Sequence, residues 1–169
     1  MLPLVGKKTI AHVVICDDNT ANPAAVLQSM LALRSMAAVK SYRIDPLTTL
    51  EEAKEALAGC QQSDAIVLSL VVRARTGAGK IEPPPAAKLF LAGVFALEKP
   101  IVGVSLGSPY VIRDIPQLAT YLVAYGSADC SQRAAAAALC GGAPIVGKLP
   151  VTIPGIAERG AGIQKEAAK

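Results

Sequence analysis

The chain alternates between short, nearly continuous apolar runs and longer stretches whose apolar residues recur at helical spacing. Thr9 to Cys16 is the first apolar run, and the turn-forming Asp17-Asp18-Asn19 stops it. Pro23 opens a helix predicted to reach about Ala38, because Val26, Leu27, Met30, Leu31 and Leu33 supply a helical apolar face. Val39 to Ile44 reads as a second strand, ended by Asp45-Pro46. Thr49 and Glu52 then stand at capping-box spacing before a second helix, which Gly59 is expected to close. Asp64 to Val72 is the most continuous apolar run, the pattern of a strand covered on both faces. After a loop over 73–85, a helix is predicted from Ala86 to Leu97, a fourth strand from Pro100 to Leu106 and a fifth from Leu118 to Tyr125. An alanine-rich helix follows, Gln132 to Leu139, ended by Gly141-Gly142. The Pro/Gly-punctuated remainder from Pro144 is expected to run over the surface.

Strands separated by single helices imply right-handed crossovers and a mainly parallel sheet. The expected fold is α/β: a three-layer α/β/α sandwich with five strands in the order 2-1-3-4-5, a common doubly wound arrangement. Residues 1–155 are expected to form this domain and 156–169 a C-terminal tail, with no internal repeat.

Composition adds one point. Apolar residues make up 52% of the 169 and charged residues only 18%, which suits a globular domain rather than a disordered one. A mean hydropathy of +0.42 is high for a free-standing domain and suggests an exposed apolar face that docks on a partner. The same face is compatible with a homodimer. No membrane span explains the hydropathy, since Glu98, Lys99 and Pro100 interrupt the most apolar stretch, Leu89 to Leu106. Lys7 and Lys8 follow a short apolar start without the apolar run or cleavage site of a signal peptide. Any export signal would lie upstream, so the compartment stays open between cytoplasm and periplasm or exterior. The net charge of +4 is scattered, and its one local group, Arg73, Arg75 and Lys80, has no interleaved aromatic rings, so nucleic acid is not the expected partner. Cys16, Cys60, Cys130 and Cys140 lack paired spacing and the single histidine is His12, so no zinc site is indicated; buried thiols are expected, with disulfides open if the parent is exported.

In such a fold ligands gather beyond the carboxyl ends of the strands. The first strand ends in Cys16-Asp17-Asp18 with no glycine-rich turn, which excludes a dinucleotide fingerprint. The acidic pair resembles the magnesium-binding end of a receiver domain, yet Leu68 to Arg73 carries no phosphate-accepting aspartate. A receiver-like regulatory or ligand-binding domain is therefore kept only as the alternative. Gly77-Ala78-Gly79-Lys80 fails the Walker pattern, with Ala74 and Ile81 at its required positions. Gly103-Val104-Ser105-Leu106-Gly107 fits Gly-x-Ser-x-Gly, but Pro109 blocks the immediate helix a nucleophile elbow requires. Ser105 is read as a close-packed strand end and His12 as a structural or partly exposed strand residue. Glu82 is the one carboxylate in a loop from which an acid catalyst could project, and a solvated glutamate is the plainer reading.

The last third carries a resemblance. Lys99-Pro100-Ile101-Val102-Gly103-Val104-Ser105 with Gly107-Ser108-Pro109-Tyr110 resembles a strand and turn of family 3 glycoside hydrolases. Tyr121 to Ser127, Ser131-Gln132-Arg133-Ala134-Ala135 and Gly147-Lys148-Leu149-Pro150-Val151-Thr152-Ile153-Pro154 resemble the segments that follow, and Leu2-Pro3-Leu4 is similar to the one that opens the domain. The resemblance covers nearly the whole chain. It implies a flavodoxin-like C-terminal domain packed on an N-terminal (β/α)8 catalytic domain, in a bacterial retaining enzyme without a cofactor or metal that cleaves β-linked sugars. Ser108-Pro109-Tyr110 and Ser131-Gln132-Arg133 look most like the β-N-acetylhexosaminidase branch rather than the β-glucosidases. It further implies that the nucleophile and, in this branch, the acid/base lie on the barrel, so that no catalytic residue is expected here. Glu82 is the only candidate for the acid/base that β-glucosidases take from this domain, and its surroundings depart from their motif. Arg73, Arg75 and Thr76, on the loop after the third strand, are candidates to border the substrate cleft.

Overall fold

The structure, a computed structural model, describes residues 2, 4–18, 22–74 and 81–168. The β-branched apolar runs become five parallel strands, β1 (Thr9–Cys16), β2 (Ala38–Ile44), β3 (Ala65–Val71), β4 (Ile101–Ser105) and β5 (Tyr121–Val123). They lie in the expected order β2-β1-β3-β4-β5. Four helices connect or follow them: α1 (Ala25–Ser35), α2 (Leu50–Gln62), α3 (Pro85–Phe95) and α4 (Asp129–Leu139). Between β4 and β5 the chain makes only a 3₁₀ turn, Pro109–Asp114.

Strand alternation divides the core between two faces. Ile10, Val14 and Cys16 of β1, with Val67 and Val71 of β3, meet Leu27 and Leu31 of α1 and Leu139 of α4. Ala11, Val13 and Ile15, with Ile66, Leu68 and Leu70, meet Ala53 and Ala56 of α2 and Phe90 and Val94 of α3. Every residue of β3 is buried, as its unbroken apolar run predicts for a strand flanked on both sides.

The capping box of α2 forms as its spacing predicts. The Thr49 side chain accepts from the Glu52 amide, and the Glu52 carboxylate accepts from the Thr49 amide at 2.8 Å. Gly59 does not close this helix, which runs on to Gln62. A Cβ at Gly59 would overlap the Tyr42 ring of β2, so the glycine is a seat for tyrosine rather than a stop. Helix α1 ends three residues before the predicted Ala38, closed by Met36 in the left-handed conformation at φ 59° with its side chain 87% exposed. That conformation opposes a side chain with a Cβ and suits glycine. Met36→Gly is expected to stabilise the fold by about 0.5–1 kcal/mol, read as a higher urea midpoint at unchanged slope.

Helix α4 begins at Asp129, three residues before its predicted start, and β5 holds three residues rather than eight. Gly141, at φ 76°, leads the chain out of α4. Beyond it lies an irregular antiparallel arm. Ile145 and Lys165 exchange backbone bonds at 2.7 and 2.9 Å, Leu149 accepts from Gly160 at 2.8 Å, and Ile153 pairs with Ala157 across Pro154-Gly155. The arm is largely exposed, as predicted from Pro144 onward, but Ile153 is buried in the α2/α3 face. It therefore carries the chain from the α4 layer to the opposite one.

Candidate functional site at the carboxyl edge of the sheet

The strand order reverses between β1 and β3, so the crevice of a doubly wound sheet falls where their carboxyl ends diverge. Asp17 and Asp18 follow β1 there, and Arg73 follows β3. The Arg73 guanidinium lies 2.5 Å from the Asp18 carboxylate and 4.0 Å from that of Asp17, and its amide donates to Asp17 Oδ2 at 3.2 Å. Arg43, after entering from β2, donates to the Asp18 carbonyl at 2.9 Å and faces the Asp45 carboxylate at 2.8 Å. The acidic turn thus faces internal cations, and among the described residues no group of three or more His, Cys, Asp or Glu side chains could hold a metal. Arg73 remains half-exposed at the mouth of the crevice. Arg75, Thr76 and the Gly77-Ala78-Gly79-Lys80 segment lie outside the described residues.

Glu82 stands just before α3, where the Lys88 ammonium donates to its carboxylate at 2.9 Å. That hydrogen bond raises the Lys88 pKa. Glu82 is thus engaged by a cation of its own chain.

Ser105 is wholly buried and donates to the Ser108 carbonyl at 3.0 Å, which ties off the turn after β4. In that turn a Cβ on Gly107 would strike the Val72 carbonyl, so only glycine allows β3 and the turn to approach so closely. Tyr121 donates its hydroxyl to the Pro109 carbonyl at 3.1 Å, and burial pushes its pKa up to about 12. His12 cannot serve Ser105. Its neighbours Ile10 and Val14 face the α1/α4 layer, whereas Leu70, the register partner of Ser105, faces the other. His12 is wholly buried, not partly exposed, between the Ser41 hydroxyl at 3.1 Å and the Ser69 hydroxyl at 2.7 Å. Desolvation lowers its pKa to about 4.

All four cysteines are free thiols; three are buried and Cys130 is exposed. Burial pushes the Cys60 thiol up to about 12, which removes it as a nucleophile at neutral pH. No helix among the described residues is long and apolar enough to cross a membrane.

The residue that organises this edge is Gln132. It is buried in the first turns of α4, where its Oε1 accepts from the Leu27 amide at 2.9 Å. Its Nε2 donates to the Pro23 carbonyl at 3.1 Å and the Ser127 carbonyl at 2.6 Å. Helix α1 has no capping side chain at its own N-cap, so Gln132 supplies from a distance what Ala24 cannot. One amide therefore fixes the loop after β1 to the loop after β5. Nothing in the local pattern marks that role, because its partner Leu27 lies 105 residues away.

No protein-family model matches the sequence, and no curated protein does. Solved structures match the fold. A β-glucosidase from Listeria innocua aligns at a TM-score of 0.70 and 19% identity over 91% of this chain and 24% of its own. A β-glucosidase from Erythrobacter marinus aligns at 0.67 and 19% over 89% and 27%. A fungal multi-domain GH3 β-N-acetylglucosaminidase aligns at 0.67 and 19% over 95% and 18%. The chain thus spans about a quarter or less of the length of these neighbours, and it shares its fold with one part of each.

Proposed function

We propose that the chain is the accessory, non-catalytic domain of a retaining family 3 glycoside hydrolase. Residues 1–155 form the domain and 156–169 its tail, and the partner is a (β/α)8 catalytic domain of the same parent. The observation that carries the reading is the coverage: nearly all of this chain aligns with a minor part of three glycosidases. The motifs Gly107-Ser108-Pro109-Tyr110 and Gly147 to Pro154 support it from the sequence side. The substrate class is a β-linked sugar, with β-N-acetylhexosaminides favoured by Ser108-Pro109-Tyr110 and Ser131-Gln132-Arg133.

Retaining chemistry needs a nucleophilic carboxylate and an acid/base about 5–5.5 Å apart. The resemblance to family 3 enzymes implies that both lie on the barrel, and the Lys88 ammonium bound to the Glu82 carboxylate is in keeping with that. Arg73, which follows β3, is the described residue that this reading sets at the border of the substrate cleft.

The test compares chromogenic β-N-acetylglucosaminide with β-glucoside, using the chain extended upstream along its own reading frame. Faster hydrolysis of the N-acetylated substrate is expected, and Glu82→Gln should leave kcat within about threefold. A loss of roughly 10²–10⁴-fold in kcat on that substitution would make Glu82 the acid/base and place the enzyme with the β-glucosidases.

A further inference from the structure

Among the described residues, three that are not glycine hold the left-handed backbone conformation: Met36, Glu98 and Tyr125. Two of them leave helices. Met36 closes α1, and Glu98 lies just past the end of α3, where such a turn is an ordinary exit. Tyr125 follows a strand, at φ 59°, with no helix to close. A bulky side chain is strained there. Gly126 stands next to it, with open space where its Cβ would be, yet the strained position holds the aromatic residue.

The ring does not repay this strain in the core, since Tyr125 is 47% exposed. Its backbone is nevertheless held on both sides. The Ala124 amide donates to the Ser105 carbonyl at 2.9 Å, and Gln132 grips the Ser127 carbonyl. The residue sits at the carboxyl edge of the sheet, the end at which this fold binds its ligands. Strain kept at a fixed, exposed position points to use of the side chain at the surface.

We propose that Tyr125 contacts ligand, its ring a platform for the C–H face of a pyranose unit in a β-glycoside. A pyranose with equatorial hydroxyls presents axial C–H groups on each face, and these are drawn to the negative face of an aromatic ring. The ligand class rests on the glycosidase reading above; the position of the contact rests on the backbone of Tyr125.

The test uses the 169-residue chain and saturation-transfer NMR with methyl N-acetyl-β-D-glucosaminide and methyl β-D-glucoside at roughly millimolar concentration. Saturation should reach the axial protons of the sugar. Tyr125→Phe should keep it, and Tyr125→Ala and Tyr125→Gly should reduce it about tenfold or more. Tyr125→Gly should also raise the unfolding midpoint by about 2–4 °C, which shows the fold intact and the strain relieved. No transfer with the unsubstituted chain, or equal transfer with Tyr125→Ala, overturns the proposal. Either of these results combined with hydrolysis by the upstream-extended chain would leave the glycosidase reading standing, so the two fail separately.

Discussion

Gln132→Ala is expected to destabilise the fold by about 3 kcal/mol, the largest effect of any single substitution considered. The change strips the Leu27 amide of its acceptor and leaves the Pro23 and Ser127 carbonyls without their side-chain donor. Buried polar groups left unmade cost about 1–3 kcal/mol each, and partial relaxation and entering water keep the sum well below the simple total. Gln132→Met separates packing from hydrogen bonding, since it keeps most of the volume and none of the bonds. Urea unfolding should place it close to the alanine variant, and hydrogen exchange should show the Leu27 amide opening in both. A methionine variant as stable as the parent would mean that Gln132 fills space and ties nothing.

The second large effect concerns acid. His12 is neutral in the folded chain down to about pH 4, because burial between Ser41 and Ser69 gives its charged form no water. In the unfolded chain the same ring takes a proton near its ordinary pKa of 6.5. Between these values the unfolded state binds more protons, so stability is full above pH 6.5 and falls as pH drops towards 4. The difference corresponds to roughly 3 kcal/mol at the acid end of the window. Carboxylates also titrate there, with Asp64 and Glu52 held below the usual range by backbone hydrogen bonds. The measurement is therefore a difference. Urea midpoints of the parent and His12→Asn should be furthest apart, by a constant amount, above pH 6.5 and converge as pH falls to 4, because only the parent loses the histidine contribution. Parallel pH profiles would mean that the ring titrates alike in both states.

The fold was legible in the sequence where the signal is local or repeated along one element. The unbroken apolar run of β3 announced a strand covered on both faces, and Thr49 and Glu52 announced the start of α2 three residues apart. The alternation of strands and helices announced the parallel sheet, and its order matches a common doubly wound arrangement. Misreadings came from contacts between distant segments. Gly59 looks like a helix terminator until Tyr42 is seen lying against it, and Tyr125 looks like the last residue of a strand until its backbone turns left-handed.

The candidate site was less legible for the same reason. Arg73 stands out in the sequence as a basic loop residue, but its pairing with Asp17 and Asp18 spans more than fifty residues. Glu82 stands out as a loop carboxylate, while Lys88, which holds it, lies on the next helix. The sequence directed attention to the carboxyl edge, where the turn after β1 is acidic and carries no glycine-rich run. Gln132 was visible only as part of a family-like segment, with no hint that it bridges two loops.

The central claim is that this chain serves a catalytic domain it does not contain, and the hydrolysis of chromogenic β-N-acetylglucosaminide tests it most directly. The 169-residue chain would be assayed beside the same chain extended upstream along its reading frame. Hydrolysis only by the longer chain is the predicted result, and it would direct attention to the face between the two parts. Hydrolysis by the 169 residues alone would contradict the account, since the domain would then carry its own nucleophile and acid.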